Sequence, residues 1–388
     1  MAASTEGRIS LLIFALVGAG FTTLYLTQPV QPALRAEFGV DASRASLTVS
    51  AVVFGMALSN LPFGALADRL AVRPIVLGGG ALVAAFTLAA AFCPGLPSLV
   101  AARFLQGLFL PSLTTCLATY LARSVSGERL NVAMGSYVSA TVVGGLAGRI
   151  LGGFLLPAER WRWAFVIAAM LLAAALVAAH HWLPREQPAG QGTGTAARFR
   201  DVLFRHDLFR FYCVGAGAFF VFSSVFNFLP FRLHEPPFGW STRAITLLYL
   251  SYLVGVAAGP LAGRLCNRVG SGAAMLLGAL GLGAALALSL VPSGWTMALA
   301  LALVCAGFFT VHAAAAGALN RRLEAGRGRA NACYVLFYYL GGFAGITASG
   351  LVWQRAGWGG VVALTALALA VPLSTGLAEM RAERKAPV

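Results

Sequence analysis

Twelve apolar runs, each close to 20 residues long and separated by short polar breaks, limit this chain more than any other feature. About 20 consecutive apolar residues are what a helix needs to cross the hydrocarbon core of a bilayer. The runs lie near 9–31, 45–67, 74–93, 98–122, 131–156 and 163–183 in the first half, and near 208–231, 244–263, 272–291, 295–319, 330–353 and 358–379 in the second. Turn residues mark the breaks: Pro94-Gly95-Leu96-Pro97, Pro157, Pro184, Pro236-Pro237 and Pro292-Ser293-Gly294. Charged residues make up 11% of the 388, against roughly 25% in a soluble domain. So few charges cannot cover a water-facing surface, and most of the surface must meet lipid.

The expected fold is therefore an all-α membrane protein with twelve transmembrane helices. A net charge of +15 raises nucleic acid as a partner. The basic residues are spread over short loops, with no patch or stripe, which excludes that class. With the N-terminus inside, the inside segments carry 19 Lys and Arg, counting Arg210 at the start of the seventh run, and the outside loops 7. The positive-inside rule then puts both termini in the cytoplasm of a bacterial inner membrane. The N-terminus is short and polar, then apolar from Ile9, with no small-residue cleavage site. A retained first helix is expected, with no removed signal peptide. The six Cys stand singly, with no ligand spacing and no disulfide framework.

The longest loop, 184–207, divides the chain. Its first part, Gln187 to Ala197, is rich in Gly, Thr and Ala, a flexible composition. Its second part, Phe199 to Arg205, alternates apolar and charged residues, which suits either a short interfacial helix or a solvated linker. Around it the chain repeats. Gly64-Ala-Leu-Ala-Asp-Arg-Leu-Ala-Val-Arg73 matches Gly259-Pro-Leu-Ala-Gly-Arg-Leu-Cys-Asn-Arg268, 195 residues later. Gly144-Gly-Leu-Ala-Gly148 matches Gly341-Gly-Phe-Ala-Gly345 at an offset of 197, and Tyr137 and Trp161 match Tyr334 and Trp358 at the same offset. Phe21-Thr-Thr resembles Phe222-Ser-Ser, with Pro29 matching Pro230. The expected domains are a six-helix bundle over 1–183, a cytoplasmic linker over 184–207, and a second, pseudo-symmetric bundle over 208–388. Two parallel halves around a cavity are a transporter architecture.

These motifs resemble those of the major facilitator superfamily. Gly64-x-x-x-Asp68-Arg69-x-x-x-Arg73 is similar to the signature between helices two and three, departing from it at Ala71 and Val72. Arg103-Phe-Leu-Gln106-Gly107 resembles the R-x-x-Q-G pattern of helix four. Gly144-x-x-x-Gly148-Arg149-x-x-Gly152-Gly153 resembles the antiporter signature of helix five, with Arg149 in place of its Pro. The branch most resembled is that of drug:proton antiporters and sugar-efflux transporters. The resemblance implies a major facilitator fold and secondary active transport, with a gating role for the helix-five glycines. Their i, i+4, i+8 spacing also allows close helix packing on its own. Asp68, at the end of span two, can accept helix N–H groups or pair with a neighbouring Arg, and such a contact can latch one conformation of the bundle.

All thirteen acids lie in loops or at the ends of spans. The ionisable residues left inside spans are Arg103, Arg149 and His312. Arg149 lies about eight residues, or ~12 Å, from the outer end of its helix. Burial there costs at least ~2.5 kcal/mol on insertion scales. Either Arg149 faces a cavity and meets an anionic or hydrogen-bonding substrate, or it snorkels or bonds to backbone carbonyls. Arg103 is shallower, with the same alternatives. His312 is the candidate proton carrier or a bonded core residue. Tyr25, Gln28, Gln31, Asn227, Tyr249, Tyr252, Tyr338 and Tyr339 are polar groups on candidate cavity helices.

The leading expectation is proton-coupled export of a small organic compound by alternating access, with substrate, proton and membrane lipid as partners and a monomeric protein. Uptake or exchange of a small organic anion is the alternative. With no Gly-rich nucleotide loop, no paired carboxylates and no metal-ligand spacing, no cofactor, metal or catalytic residue is expected, and an integral-membrane enzyme is disfavoured. A non-transporting receptor is the remaining class.

Overall fold

The computed structural model describes residues 2–124, 127–184, 202–323 and 327–385, and among these the chain is helical throughout, without strands. Most of the 184–207 loop falls outside the described residues, including the first part of the amphipathic stretch 199–205. The helices are α1 (Ala2–Leu24), α2 (Gln31–Phe38), α3 (Ala42–Arg69), α4 (Val72–Ala91), α5 (Leu96–Phe109), α6 (Thr115–Ser124), α7 (Gly127–Ile150), α8 (Trp161–Trp182), α9 (His206–His234), α10 (Thr242–Leu247), α11 (Tyr252–Val269), α12 (Ser271–Leu288), α13 (Gly294–Arg321), α14 (Arg327–Ala368) and α15 (Ala370–Lys385). Eleven segments are long and apolar enough to cross a bilayer, the last running 57 residues from Gly328 to Arg384. At 1.5 Å per residue that segment would be nearly three times the ~30 Å hydrocarbon core. It is two crossings. The chain departs from helix at Gly357, where φ is 52° and ψ −146°, a conformation that a side chain disfavours and glycine tolerates. Twelve spans result, as the apolar runs require.

The chain forms two compact units, Met1–Gly39 with Ala51–Gly194, and Val40–Ser50 with Thr195–Val388. In the first, α1 packs on α7 and α8, and α4 packs on α5 and α8. In the second, α9 packs on α14, and α12 packs on α13 and α15. Spans one and five are thus paired as spans seven and eleven are, and spans three and six as spans nine and twelve. Large apolar side chains such as Leu11, Phe92, Met170, Leu280 and Leu367 are left exposed, as lipid-facing residues should be.

The helix-five glycines explain the closest of these packings. A Cβ at Gly144 or Gly148 would collide with the backbone carbonyl of Gly18 or Thr22 on successive turns of α1, and a Cβ at Gly152 with that of Leu26, just past the end of α1. In the second unit, Gly341 and Gly345 meet the carbonyls of Ala216 and Phe220 in the same way. This packing corrects one detail of the repeat. Spans five and eleven match at an offset of 197, and the carbonyls they touch match at 198. The sequence likeness of Phe21-Thr-Thr to Phe222-Ser-Ser, at 201, is three residues out of register. Short apolar likenesses recur along such helices, whereas a glycine against a carbonyl fixes the register.

Candidate functional site

Span one, expected as one run, is broken. Helix α1 stops at Leu24, residues 25–30 form turns, and α2 resumes at Gln31. The local sequence Gln28-Pro29-Val30-Gln31-Pro32 accounts for the break. Each Pro removes an N–H donor and disfavours helix at the residue before it, yet Pro32 is tolerated in the first turn of a new helix. Span seven tolerates Pro230 and runs unbroken from His206 to His234.

A helix that ends inside a bilayer leaves carbonyls that water cannot reach, and the protein must satisfy them. Arg103 does so. It is fully buried, its Nη1 donates to the Thr23 carbonyl at 2.7 Å, and its Nη2 donates to the Leu24 carbonyl. Gln106 Oε1 accepts from the same guanidinium, and Gln106 Nε2 donates to Thr87 Oγ1 at 2.9 Å. Arg103 is therefore not a snorkelling residue. It caps the C-terminal end of α1, and the Arg-x-x-Gln spacing places both groups on that end. Sequence reasoning missed Thr87 and the capping role of Gln106, because nothing in the apolar run announced an interrupted helix. Arg103→Leu is expected to strand two buried carbonyls, at roughly 1–3 kcal/mol each. The check is the thermal midpoint of the purified protein, which should fall well below that of wild type and recover in part with Arg103→Lys.

Arg149 lies on α7 just before a π turn at Leu151–Leu155 and is 1% exposed. Its Nε donates to Gln28 Oε1 at 2.7 Å, its Nη1 to the Gly145 carbonyl at 2.9 Å, and its Cζ lies 3.9 Å from the centre of the Tyr25 ring. Gly145 makes room for this stack: a Cβ there would come within 3.3 Å of Arg149 Nη1 and 3.5 Å of the Tyr25 ring. Three residues singled out from sequence, Tyr25, Gln28 and Arg149, thus meet at the break, with Thr27 and Gln31 buried beside them. Beyond the break, α2 is held by Glu37, which accepts from Trp161 Nε1 at 2.6 Å and pairs with Arg162. The break is a short link between two anchored half-helices.

In the second unit, His312 and Tyr338 come together. His312 Nδ1 lies 2.9 Å from Tyr334 Oη, and its ring packs 5.4 Å from that of Tyr338. Tyr338 stacks on Phe219 at 3.9 Å and lies edge-on to Tyr339 at 5.2 Å. Tyr249 donates to the Phe226 carbonyl at 3.1 Å, which ties it to α9, and Tyr252 packs on the Phe226 ring at 4.6 Å. Asn227 is buried on the same helix.

At the far ends of the spans, Asp68 pairs with Arg123 at 3.0 Å, and Arg123 also holds the Ala67 carbonyl at 2.8 Å. Arg73 donates to the His180 carbonyl. Arg69 is exposed, and a Cβ at Gly64 would meet only Thr115 at ordinary contact distance. Gly153 is buried within the π turn. Glu379, at the end of span twelve, is 4% exposed and bridges Arg210 at 2.7 Å and Arg322 at 2.8 Å. Among the described residues no cluster of His, Cys, Asp and Glu is arranged to hold a metal.

Twelve apolar spans with repeated pairings, and buried polar groups at an interrupted helix, define a multi-pass membrane transporter. The model of the Major Facilitator Superfamily matches residues 11–270, and the chain belongs to that family. The inner membrane transport protein YnfM of Escherichia coli is 29% identical over 381 residues, covering 95% of this chain and 89% of that protein. An uncharacterized transporter of the family from Bacillus subtilis, YybF, is 29% identical, covering 93% of this chain and 91% of that protein. Among solved structures, the human organic anion transporter MFSD10 is similar with a TM-score of 0.70 at 20% identity, covering 96% of this chain and 99% of that one. A bacterial homologue of the lysosomal transporter Spinster, inward-facing and unoccupied, gives 0.74 at 14% identity, covering 99% of each chain.

Proposed function

We propose that this protein is a secondary active transporter of the bacterial inner membrane that works by alternating access and carries a small organic anion, received at Arg149. The observation that carries this reading is a guanidinium held 1% exposed within a span by an amide oxygen, a backbone carbonyl and a tyrosine ring. An Arg stays charged in proteins, and these three contacts, all with neutral groups, position that charge without themselves cancelling it. A carboxylate or phosphate adds the opposite charge and fits the fork geometry. One structural relative, MFSD10, is described as an organic anion transporter, which agrees with the reading. The excess of Lys and Arg in the inside segments supports a cytoplasmic position for both termini.

Proton-coupled export of a neutral or cationic compound is the second reading. The helix-five glycines of the antiporter-like signature favour it, with His312 and its Tyr334 partner as the proton site. A thermal-shift screen separates the two. Under the anion reading, at least one of benzoate, phthalate, succinate and phenylphosphonate raises the melting midpoint, while benzamide, phthalamide and succinamide do not. Stabilisation by the amides or by benzylamine alone would favour the second reading.

A further inference from the structure

The contact between Gln28 and Arg149 has the geometry of a ligand contact. Gln28 presents a carbonyl oxygen to Arg149 Nε at 2.7 Å, where one oxygen of a carboxylate would lie in a fork pairing. Arg149 is fixed on its other side by the Gly145 carbonyl, one turn back on its own helix, and by the Tyr25 ring. Gln28 belongs to the non-helical link of residues 25–30 and precedes Pro29. Its backbone N–H bonds only across a turn, to the Tyr25 carbonyl at 3.1 Å. Of the two partners, Arg149 is built into a helix and Gln28 into a link that no helical hydrogen-bond ladder holds.

We propose that Gln28 is a placeholder: its side-chain amide occupies Arg149 in the empty transporter and must leave when an anionic substrate binds. The proposal rests on the anion reading of Arg149 given above. An amide oxygen on a guanidinium is a charge-assisted bond on one side only, whereas a carboxylate is charged on both sides and bidentate, so it displaces the amide. The displacement carries a structural consequence. Gln28 is 2% exposed, and leaving a buried amide without partners is costly, so repositioning of the link is favoured. Substrate arrival thereby changes the join between α1, whose end Arg103 grips, and α2, which Glu37 anchors. Exchange of one acceptor for another at Arg149 is how binding would be communicated to span one. The same exchange sets selectivity, since a ligand that cannot outcompete an amide, such as a neutral isostere, does not enter.

Variants at position 28 test the proposal with Arg149 intact. Gln28→Leu removes the competitor, and the best-binding carboxylate of the panel benzoate, phthalate, succinate and phenylphosphonate should bind about tenfold more tightly, the equivalent of one hydrogen bond to a charged group. Gln28→Ala, smaller and unable to overfill the site, should show the same direction. Gln28→Glu places a permanent carboxylate on Arg149: it should fold with an unchanged or higher melting midpoint, yet lose the response to every member of the panel. Equal affinities in wild type and in both apolar variants, or a Gln28→Glu protein that still binds, would overturn the placeholder role. If those results come with Arg149→Ala still abolishing binding, the anion reading survives alone. If no carboxylate or phosphonate binds wild type or any variant, the anion reading fails and the placeholder role fails with it.

Discussion

Arg149→Ala is expected to abolish binding and transport of small organic anions while the protein still inserts and folds. The substitution has unequal consequences for folding and for binding. In the folded protein the guanidinium makes a bond to Gln28, a bond to Gly145 within its own helix, and a ring contact with Tyr25. Removing it loses these and leaves the Gln28 amide to find another partner, but it also removes a charge whose burial is unfavourable by at least ~2.5 kcal/mol on insertion scales. The net change in stability is small. Binding has no such compensation. Truncating one member of a buried, hydrogen-bonded charge pair costs about 2–5 kcal/mol, a loss of roughly 30- to several-thousand-fold in affinity. Arg149→Lys keeps the charge and loses the fork, so it should bind about tenfold more weakly than wild type. Titration of the purified variants with the best carboxylate checks this order, and equal affinity in wild type and Arg149→Ala would reduce Arg149 to a packing group.

The second large effect lies one residue away, on the face of α7 that meets α1. Gly148→Leu is expected to prevent accumulation of folded protein. A Cβ at Gly148 would overlap the carbonyl of Thr22, which is backbone and cannot rotate away, so spans one and five would have to separate along their length. Gly144 and Gly152 would lose their contacts with Gly18 and Leu26 at the same time. In a bilayer helices have no hydrophobic drive to re-associate, and close packing supplies much of their attraction. The loss belongs in the exceptional class of about 4 kcal/mol or more. Gly135→Leu is the internal control: it is on the same helix, with nothing within 4 Å of its Cβ position. Size-exclusion profiles after detergent extraction should show wild-type yield for Gly135→Leu and aggregate for Gly148→Leu.

Much of this architecture is legible in the sequence, because the bilayer allows so few solutions. The spans follow from run length, and the two halves from the recurrence of Gly144-Gly-Leu-Ala-Gly148 as Gly341-Gly-Phe-Ala-Gly345. Close packing on the glycine face of span five follows from glycine spacing, and the structure supplies its partner, span one. What stays hidden has a common cause. Hydropathy averages over a window, and the break at Tyr25–Val30 carries Leu26 and Val30 among its polar residues, so the window passes over it. Without the break, Arg103 could not be read as a helix cap, nor Gln28 as the partner of Arg149. The acids at span ends looked alike for a similar reason. Asp68 remains largely exposed in its pair with Arg123, whereas Glu379 is buried between two arginines, and nothing in their spacing distinguishes them. The register of spans one and seven needed the carbonyls that the glycines touch.

Counterflow in proteoliposomes reads anion transport and its dependence on Arg149 in one assay. Vesicles containing the purified protein are loaded with unlabelled phthalate or succinate, neither of which crosses lipid readily, and diluted into the same compound carrying a radiolabel. Transient uptake of label above the equilibrium level is expected with wild type and none with Arg149→Ala. Label that never exceeds the level of protein-free vesicles for any anion, alongside counterflow of a neutral or cationic compound that persists in Arg149→Ala, would contradict the anion reading.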